Sequence, residues 1–175
     1  MTVVFLVIRA KLIKYDEEPD IGKRPMLAEI RHIYKGHKEV NASRGDTIKF
    51  YQSIWNPIVK MGHLYLLSGS VNKFYGGPMV DSCNWVQQWQ NITHVQRWGL
   101  KKYYAKSCGK CSIKFCLNGE TCNLDKGCNW WVQSHEIGQE KLDCQSRMEI
   151  CVFKPSQGCS WYRPKLRCVE PGADP

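Results

Sequence analysis

Between Val3 and Leu12 the chain alternates. Val3, Phe5, Val7, Arg9 and Lys11 fall on one side of an extended backbone, and Val4, Leu6, Ile8, Ala10 and Leu12 on the other. The pattern predicts a long strand that becomes amphipathic toward its end. Pro19, Asp20, Gly22 and Pro25 mark a loop, after which Met26 to Tyr34 alternates apolar with charged residues as a second strand. Thr47 to Gln52 predicts a third strand and His63 to Ser68 a fourth, with an exposed loop from Ser53 to Gly62 between them. Gly76-Gly77 introduces a short fifth strand ending near Cys83. One stretch reads as helix: Thr93 and Gln96 form a Ser/Thr-x-x-Glu/Gln capping box, with Ile92 and Val95 facing inward and Arg97 and Lys101 outward. Five short strands and one helix fit a small closed β-barrel of the OB type. A parallel sheet would need crossover helices that the pattern lacks.

Cysteine usage divides the chain. Nine of the ten cysteines lie from Cys108 to Cys168, and only Cys83 precedes them. We read residues 1–107 as the barrel and 108–175 as a small disulfide-rich subdomain, because so small a satellite is marginal on apolar burial alone. Bridges worth roughly 2 to 4 kcal/mol each are the usual remedy. An even count of cysteines implies an oxidising, extracellular setting. The acceptor sequons at Asn41 and Asn91 agree with secretion and predict glycosylation. No run approaches the roughly 20 apolar residues of a membrane span, and Val3 to Ile8 is too short for a signal-peptide core. We therefore expect that Met1 is not the start of the secreted protein.

The net charge of +9 is uneven: residues 1–107 carry 16 basic and 8 acidic side chains, and residues 108–175 carry 9 and 8. The first part is the better surface for polyanions, which outside the cell are mostly sulfated glycans. Enzymatic chemistry finds no support. His135-Glu136 starts a zinc-protease motif, but Gln139 stands where its second histidine belongs, and His32, His37, His63 and His94 form no ligand spacing. Cys108-Gly109-Lys110-Cys111 lacks the second pair of a zinc ribbon and the strand and helix of a redox site. No metal site of the chain's own is expected. Trp130, Trp131 and Trp161 each follow a cysteine closely and read as rings packed beside disulfides. Basic residues near Trp98, Tyr103 and Tyr104 would suit a single-stranded nucleic acid, a partner that extracellular chemistry argues against.

Several segments, taken in order, resemble one family. Leu6-Val7-Ile8-Arg9-Ala10-Lys11 is similar to the first-strand signature of the tissue inhibitors of metalloproteinases, and Tyr34-Lys35-Gly36 to the end of their second strand. Leu66-Leu67-Ser68-Gly69, Asp81-Ser82-Cys83 with Trp89, and Gln96-Arg97-Trp98-Gly99-Leu100 resemble later elements of the family's first domain. Cys108-x-x-Cys111, Cys116, Cys122, Cys128-Asn129-Trp130, Cys151 and Cys159-Ser160-Trp161 resemble its C-terminal subdomain in order and approximate spacing.

The resemblance implies a netrin-like OB barrel and a monomeric secreted inhibitor of zinc metalloendopeptidases of the matrix metalloproteinase type. It implies no cofactor, the zinc being that of the target protease. Family members chelate that zinc with the terminal amine and first carbonyl of an N-terminal Cys-x-Cys segment, flanked by neighbouring loops. Gln52, Ser53, Ile54, Trp55, Val59, Asp81 and Ser82 are the corresponding loop contacts here. The implied bridges are Cys111 with Cys159, Cys116 with Cys122 and Cys128 with Cys151. We infer that the remaining Cys144 and Cys168 pair with each other. The sequence departs from the pattern in two places: it contains no Cys-x-Cys segment, and no loop cysteine falls between Gln52 and Gly62. The family's counterparts for Cys83 and Cys108 are thereby missing, which points to truncation together with divergence and leaves the pairing of both open. The competing expectation is a non-inhibitory netrin-like extracellular-matrix module that binds glycosaminoglycans through Lys101, Lys102 and Lys106, or partners through its C-terminal subdomain.

Overall fold

The computed structural model describes residues 4–16, 22–53, 59–72, 77–81, 84–117, 127–132 and 144–164. Its contacts form two units, Met1–Ile92 and Thr93–Pro175. They part upstream of the 107/108 boundary read from composition. Composition marks where the cysteines begin, whereas the helix after Thr93 packs through Val95 against Ile150 and Val152 of the cysteine-rich part.

The first unit is a closed barrel of β1 (Val4–Tyr15), β2 (Lys23–Lys35), β3 (Thr47–Ser53), β4 (Leu64–Asn72) and β5 (Gly77–Val80). Strands pair in the order β1-β2-β3-β5-β4, and β4 returns to β1. A short helical turn, α1 (His37–Val40), and β6 (Val86–Gln88), which pairs with the first half of β4, complete it. The inward row of β1 is the one the alternation picked out: Leu6, Ile8, Ala10 and Leu12 are buried with Met26, Ala28, Ile30, Phe50, Leu67 and Val80. Burying each large member contributes roughly 1.5 to 3 kcal/mol relative to exposure. Register shifts at Val7/Ile8, Arg9/Ala10 and Leu12/Lys14 interrupt the β1–β2 ladder. Such bulges add the local twist that closing a five-stranded sheet demands.

β1 and β2 run further than the alternation indicates. Pro25, read as part of a loop, lies inside β2 opposite Tyr51, and its carbonyl accepts from the Asp16 amide at 2.8 Å. A proline is tolerated near the start of a strand, where the ladder loses only one donor. The α1 turn carries no apolar periodicity and was not foreseen. It is bounded by Gly36 and Asn41, both left-handed at φ 91° and 47°.

The second unit opens with α2 (His94–Lys102). Thr93 Oγ1 accepts from the Gln96 amide at 3.2 Å, and Gln96 Oε1 accepts from the Thr93 amide at 2.9 Å, so the capping box is reciprocal. The same two side chains donate onward, Thr93 Oγ1 to the Arg147 carbonyl at 2.6 Å and Gln96 Nε2 to the Ser146 carbonyl at 3.3 Å. Those carbonyls lie on α4 (Cys144–Met148). After α3 (Tyr104–Ser107), β7 (Ser112–Leu117) and β8 (Gly127–Val132) pair in parallel, while β9 (Ile150–Lys154) and β10 (Gly158–Tyr162) pair antiparallel. Disulfides join Cys111 to Cys159 and Cys128 to Cys151. Cys116 is also disulfide-bonded. Its expected partner Cys122 and the expected Cys144–Cys168 bridge fall outside the described side chains. Trp130 and Trp161 are half-buried among these bridges, and the Trp161 indole donates to the Asn129 carbonyl at 2.7 Å.

Candidate functional site

Among the described residues one pairing in the barrel is parallel, and it decides where the loops go. β3 and β5 run side by side with Tyr51 opposite Met79 and Gln52 opposite Val80. The chain therefore leaves β3 at Ser53 and β5 at Asp81 from the same end, beside each other. β1 ends and β4 begins at that end too, since Lys11 pairs with Leu64 and Tyr15 with Met26.

Hydrogen bonds root both loops there. The Tyr15 hydroxyl donates to the Val59 carbonyl at 3.3 Å, and the Tyr65 hydroxyl accepts from the Lys60 amide at 3.0 Å and from Gln88 Nε2 at 3.1 Å. After β5, the Asp81 amide donates to Asn84 Oδ1 at 2.8 Å and the Asn84 amide returns to the Asp81 carbonyl at 3.1 Å, so the two residues hold each other reciprocally. Trp85 then clasps β4. Its amide donates to Ser68 Oγ at 2.6 Å, its carbonyl accepts from the Ser68 amide at 2.8 Å, and its indole donates to Gln87 Oε1 at 2.8 Å. Gly69, next along β4, has to be glycine because a Cβ would overlap the Met79 carbonyl oxygen of β5.

Of the loop contacts expected from sequence, Asp81 is half-buried at this end of the barrel. Gln52, Ser53 and Val59 are not surface contacts: their exposures are 1 %, 9 % and 6 %. Gln52 and Ser53 still belong to β3, and Val59 packs into the barrel core beneath the loop, so these three support the loops. Ile54, Trp55 and Ser82 lie outside the described residues, as does Cys83. Cys108 is exposed just before β7. Asn41 and Asn91 are both exposed.

A second feature lies on the outer face of the barrel. Arg9 and Lys11 of β1, Arg31 of β2 and Arg44 of the turn before β3 line one cleft of about 410 Å³. The Arg9 guanidinium sits 4.8 Å from the centre of the Trp89 ring, and Arg31 pairs with Glu29 at 2.9 Å. The lysines singled out from sequence, Lys101, Lys102 and Lys106, are exposed on α2 and α3. Arg9 and Lys11 shared a strand face in the sequence pattern, but only strand register brings Arg31 and Arg44 to them.

Among the described residues no three His, Cys, Asp or Glu side chains converge as a metal site, and no helix is long and apolar enough to cross a membrane. His135 and Glu136 fall outside them.

Comparison with known proteins adds the family. The family model described as "Tissue inhibitor of metalloproteinase" matches residues 4–161. Metalloproteinase inhibitor 4 of Rattus norvegicus is 26 % identical over 173 residues, covering 92 % of this chain and 75 % of the relative. Metalloproteinase inhibitor 3 of Gallus gallus is 25 % identical over 162 residues, covering 90 % and 74 %. These relatives are named as inhibitors of enzymes. With a match spanning both the barrel and the disulfide-linked part, the chain belongs to the tissue inhibitor of metalloproteinase family.

Proposed function

We propose that this protein is a secreted, monomeric inhibitor of zinc metalloendopeptidases of the matrix metalloproteinase type, and that the barrel end carrying the β3–β4 loop and the Asp81–Trp85 segment enters the protease cleft. The parallel β3–β5 pairing is the observation that carries this reading, because it puts both loops on one edge with their bases fixed by Tyr15, Tyr65 and Ser68. Fixed loop bases lower the entropy cost of ordering the loops on binding. Secretion is supported by the disulfide bridges, which persist in oxidising compartments. The zinc is the protease's own. In the family pattern its ligands are an amine and a carbonyl of a Cys-x-Cys segment, which has no counterpart in these 175 residues.

The test is a titration of a matrix metalloproteinase catalytic domain, followed with a quenched peptide substrate, using the protein as its natural source secretes it. Saturable inhibition is expected, weakened by Asp81→Arg. Full protease activity at micromolar inhibitor would refute the reading.

The basic cleft favours a second activity, binding of sulfated glycosaminoglycans. Four cations around one concavity attract a polyanion more strongly than the same charges dispersed, with marked salt dependence. Arg31→Glu with Arg44→Glu should elute from heparin at clearly lower salt than a variant carrying Lys101→Glu, Lys102→Glu and Lys106→Glu. Equal elution of the two would place glycan binding on general charge or on the helical lysines.

A further inference from the structure

The cysteine-rich unit carries an open cavity of about 320 Å³, walled by Tyr104, Ile113, Trp130 and Trp161 and by Cys111 and Cys151 of the two bridges named above. It is small-ligand sized and mostly apolar, the usual character of a binding pocket. Its walls are held in place covalently, since Cys111–Cys159 and Cys128–Cys151 cross-link the elements around it. Tyr104 is fixed by its seat on α2, where Gly99 leaves no room for a side chain beneath the ring.

Among the described residues, one charged side chain lines this cavity. Glu149, at the junction of α4 and β9, has only 6 % of its side chain exposed. Its partner is Arg163, whose Nε and Nη2 both reach the same oxygen, Oε1, the former at 2.7 Å. That use of one oxygen leaves Oε2 to accept from another donor. Arg163 itself is 73 % exposed, so it covers the carboxylate from the solvent side without being buried with it.

A buried carboxylate among aromatic faces selects by charge. Rings attract a cation through their quadrupole, and a carboxylate in an apolar surround pairs with it, while an anion is repelled and a neutral molecule gains only contact area. We propose that this cavity is a binding site for a small organic cation: a guanidinium, amidinium or ammonium head on Glu149 Oε2, with a flat apolar body against Trp130 and Trp161. Arg163 shows that the carboxylate accepts a guanidinium. This site is independent of the protease-facing edge and stands whether or not the chain inhibits a protease.

Benzamidinium is the probe, with benzamide as its neutral isostere and benzoate as its anionic one, each titrated calorimetrically into the full chain while indole fluorescence is followed. Benzamidinium should bind about tenfold tighter than benzamide, with benzoate weakest. Glu149→Gln should remove most of the difference between benzamidinium and benzamide, leaving only what the rings contribute, without weakening benzamide. Because that variant could fail to fold, Arg163→Ala is the second: removing the chain's own competing cation should tighten benzamidinium and leave benzamide unchanged. Equal affinity for the three probes, a preference for the cation that is undiminished by Glu149→Gln in a folded protein, or weaker benzamidinium binding in Arg163→Ala would each overturn the proposal.

Discussion

Gly69→Ala adds one methyl group at the point where β4 and β5 touch. The new Cβ would overlap the Met79 carbonyl oxygen and lie 3.3 Å from the carbonyl carbon and 3.4 Å from Val80 Cγ2. The oxygen belongs to the backbone, so no rotamer change relieves the overlap. A carbon–oxygen contact needs roughly 3.3 Å, and β5 must retreat by on the order of 1 Å. Overpacking of this kind costs about 1 to 3 kcal/mol. Stretching the ladder at Ser70–Met79 and Val71–Pro78 adds about 1 kcal/mol. The lower chain entropy of alanine in the unfolded state gives back about 0.5 to 1 kcal/mol. The net expectation is a loss of about 1 to 3.5 kcal/mol, or roughly 4 to 28 °C in the melting temperature of the barrel. Gly77→Ala, at the start of the same strand, is the matched control: its nearest atoms are Tyr51 Cε2 at 3.4 Å and the Lys49 carbonyl at 3.5 Å, ordinary contacts. That variant should stay within about 0.5 kcal/mol of the parent. Urea unfolding followed by tryptophan fluorescence measures both. Because β5 leads directly into the Asp81–Trp85 segment, Gly69→Ala should also weaken protease inhibition measured well below its own melting temperature. A Gly69→Ala midpoint that coincides with that of Gly77→Ala would refute the close approach and the reasoning built on it.

Ser68→Ala leaves the Trp85 amide without its 2.6 Å acceptor, a local penalty of about 1 to 3 kcal/mol. Hydrogen exchange at Trp85 should accelerate and inhibition weaken, with little change in global melting. Gly99→Ala sets two effects against each other. Helix propensity favours it by about 1 kcal/mol, but the Cβ would stand 2.5 Å from Tyr104 Cζ and 2.9 Å from both Cε atoms, an overlap costing about 1 to 3 kcal/mol, so thermal unfolding should show no gain and a net loss of up to about 2 kcal/mol. Burial pushes the Tyr104 phenol up from 10.0 to about 12. The folded state thus holds the neutral phenol after the unfolded chain has released its proton, and stability present below pH 10 should fall by roughly 3 kcal/mol as pH rises to about 12. In Tyr104→Phe, denaturant titrations across that range should lack this slope.

Much of the barrel was legible in order and type because its signals are local. Strand periodicity is a property of neighbouring residues, so the inward row Leu6, Ile8, Ala10 and Leu12 could be read directly. The Thr93–Gln96 capping box is likewise a three-residue relation, and it formed as spaced. The family pattern spread along the chain was equally a matter of order and spacing. Strands β7 to β10 were not legible, since short runs between cysteines carry too few residues for a period to show, and cross-links hold segments that no apolar face would.

What lay beyond reach depended on register and closure. Ser53 and Val59 read as parts of an exposed loop, yet both are buried. β3 extends to Ser53, and Val59 drops into a core that exists only once β4 has returned to β1. The meeting of Arg9, Lys11, Arg31 and Arg44 and the buried Glu149 beside Trp130 and Trp161 arise in the same way. The sequence by itself determined which segments become strands, where the first long helix starts and which family the chain resembles, because each follows from near neighbours and their order. Only the tertiary structure decided which loops share an edge and which charges share a cleft, because those depend on pairing between residues far apart in the chain.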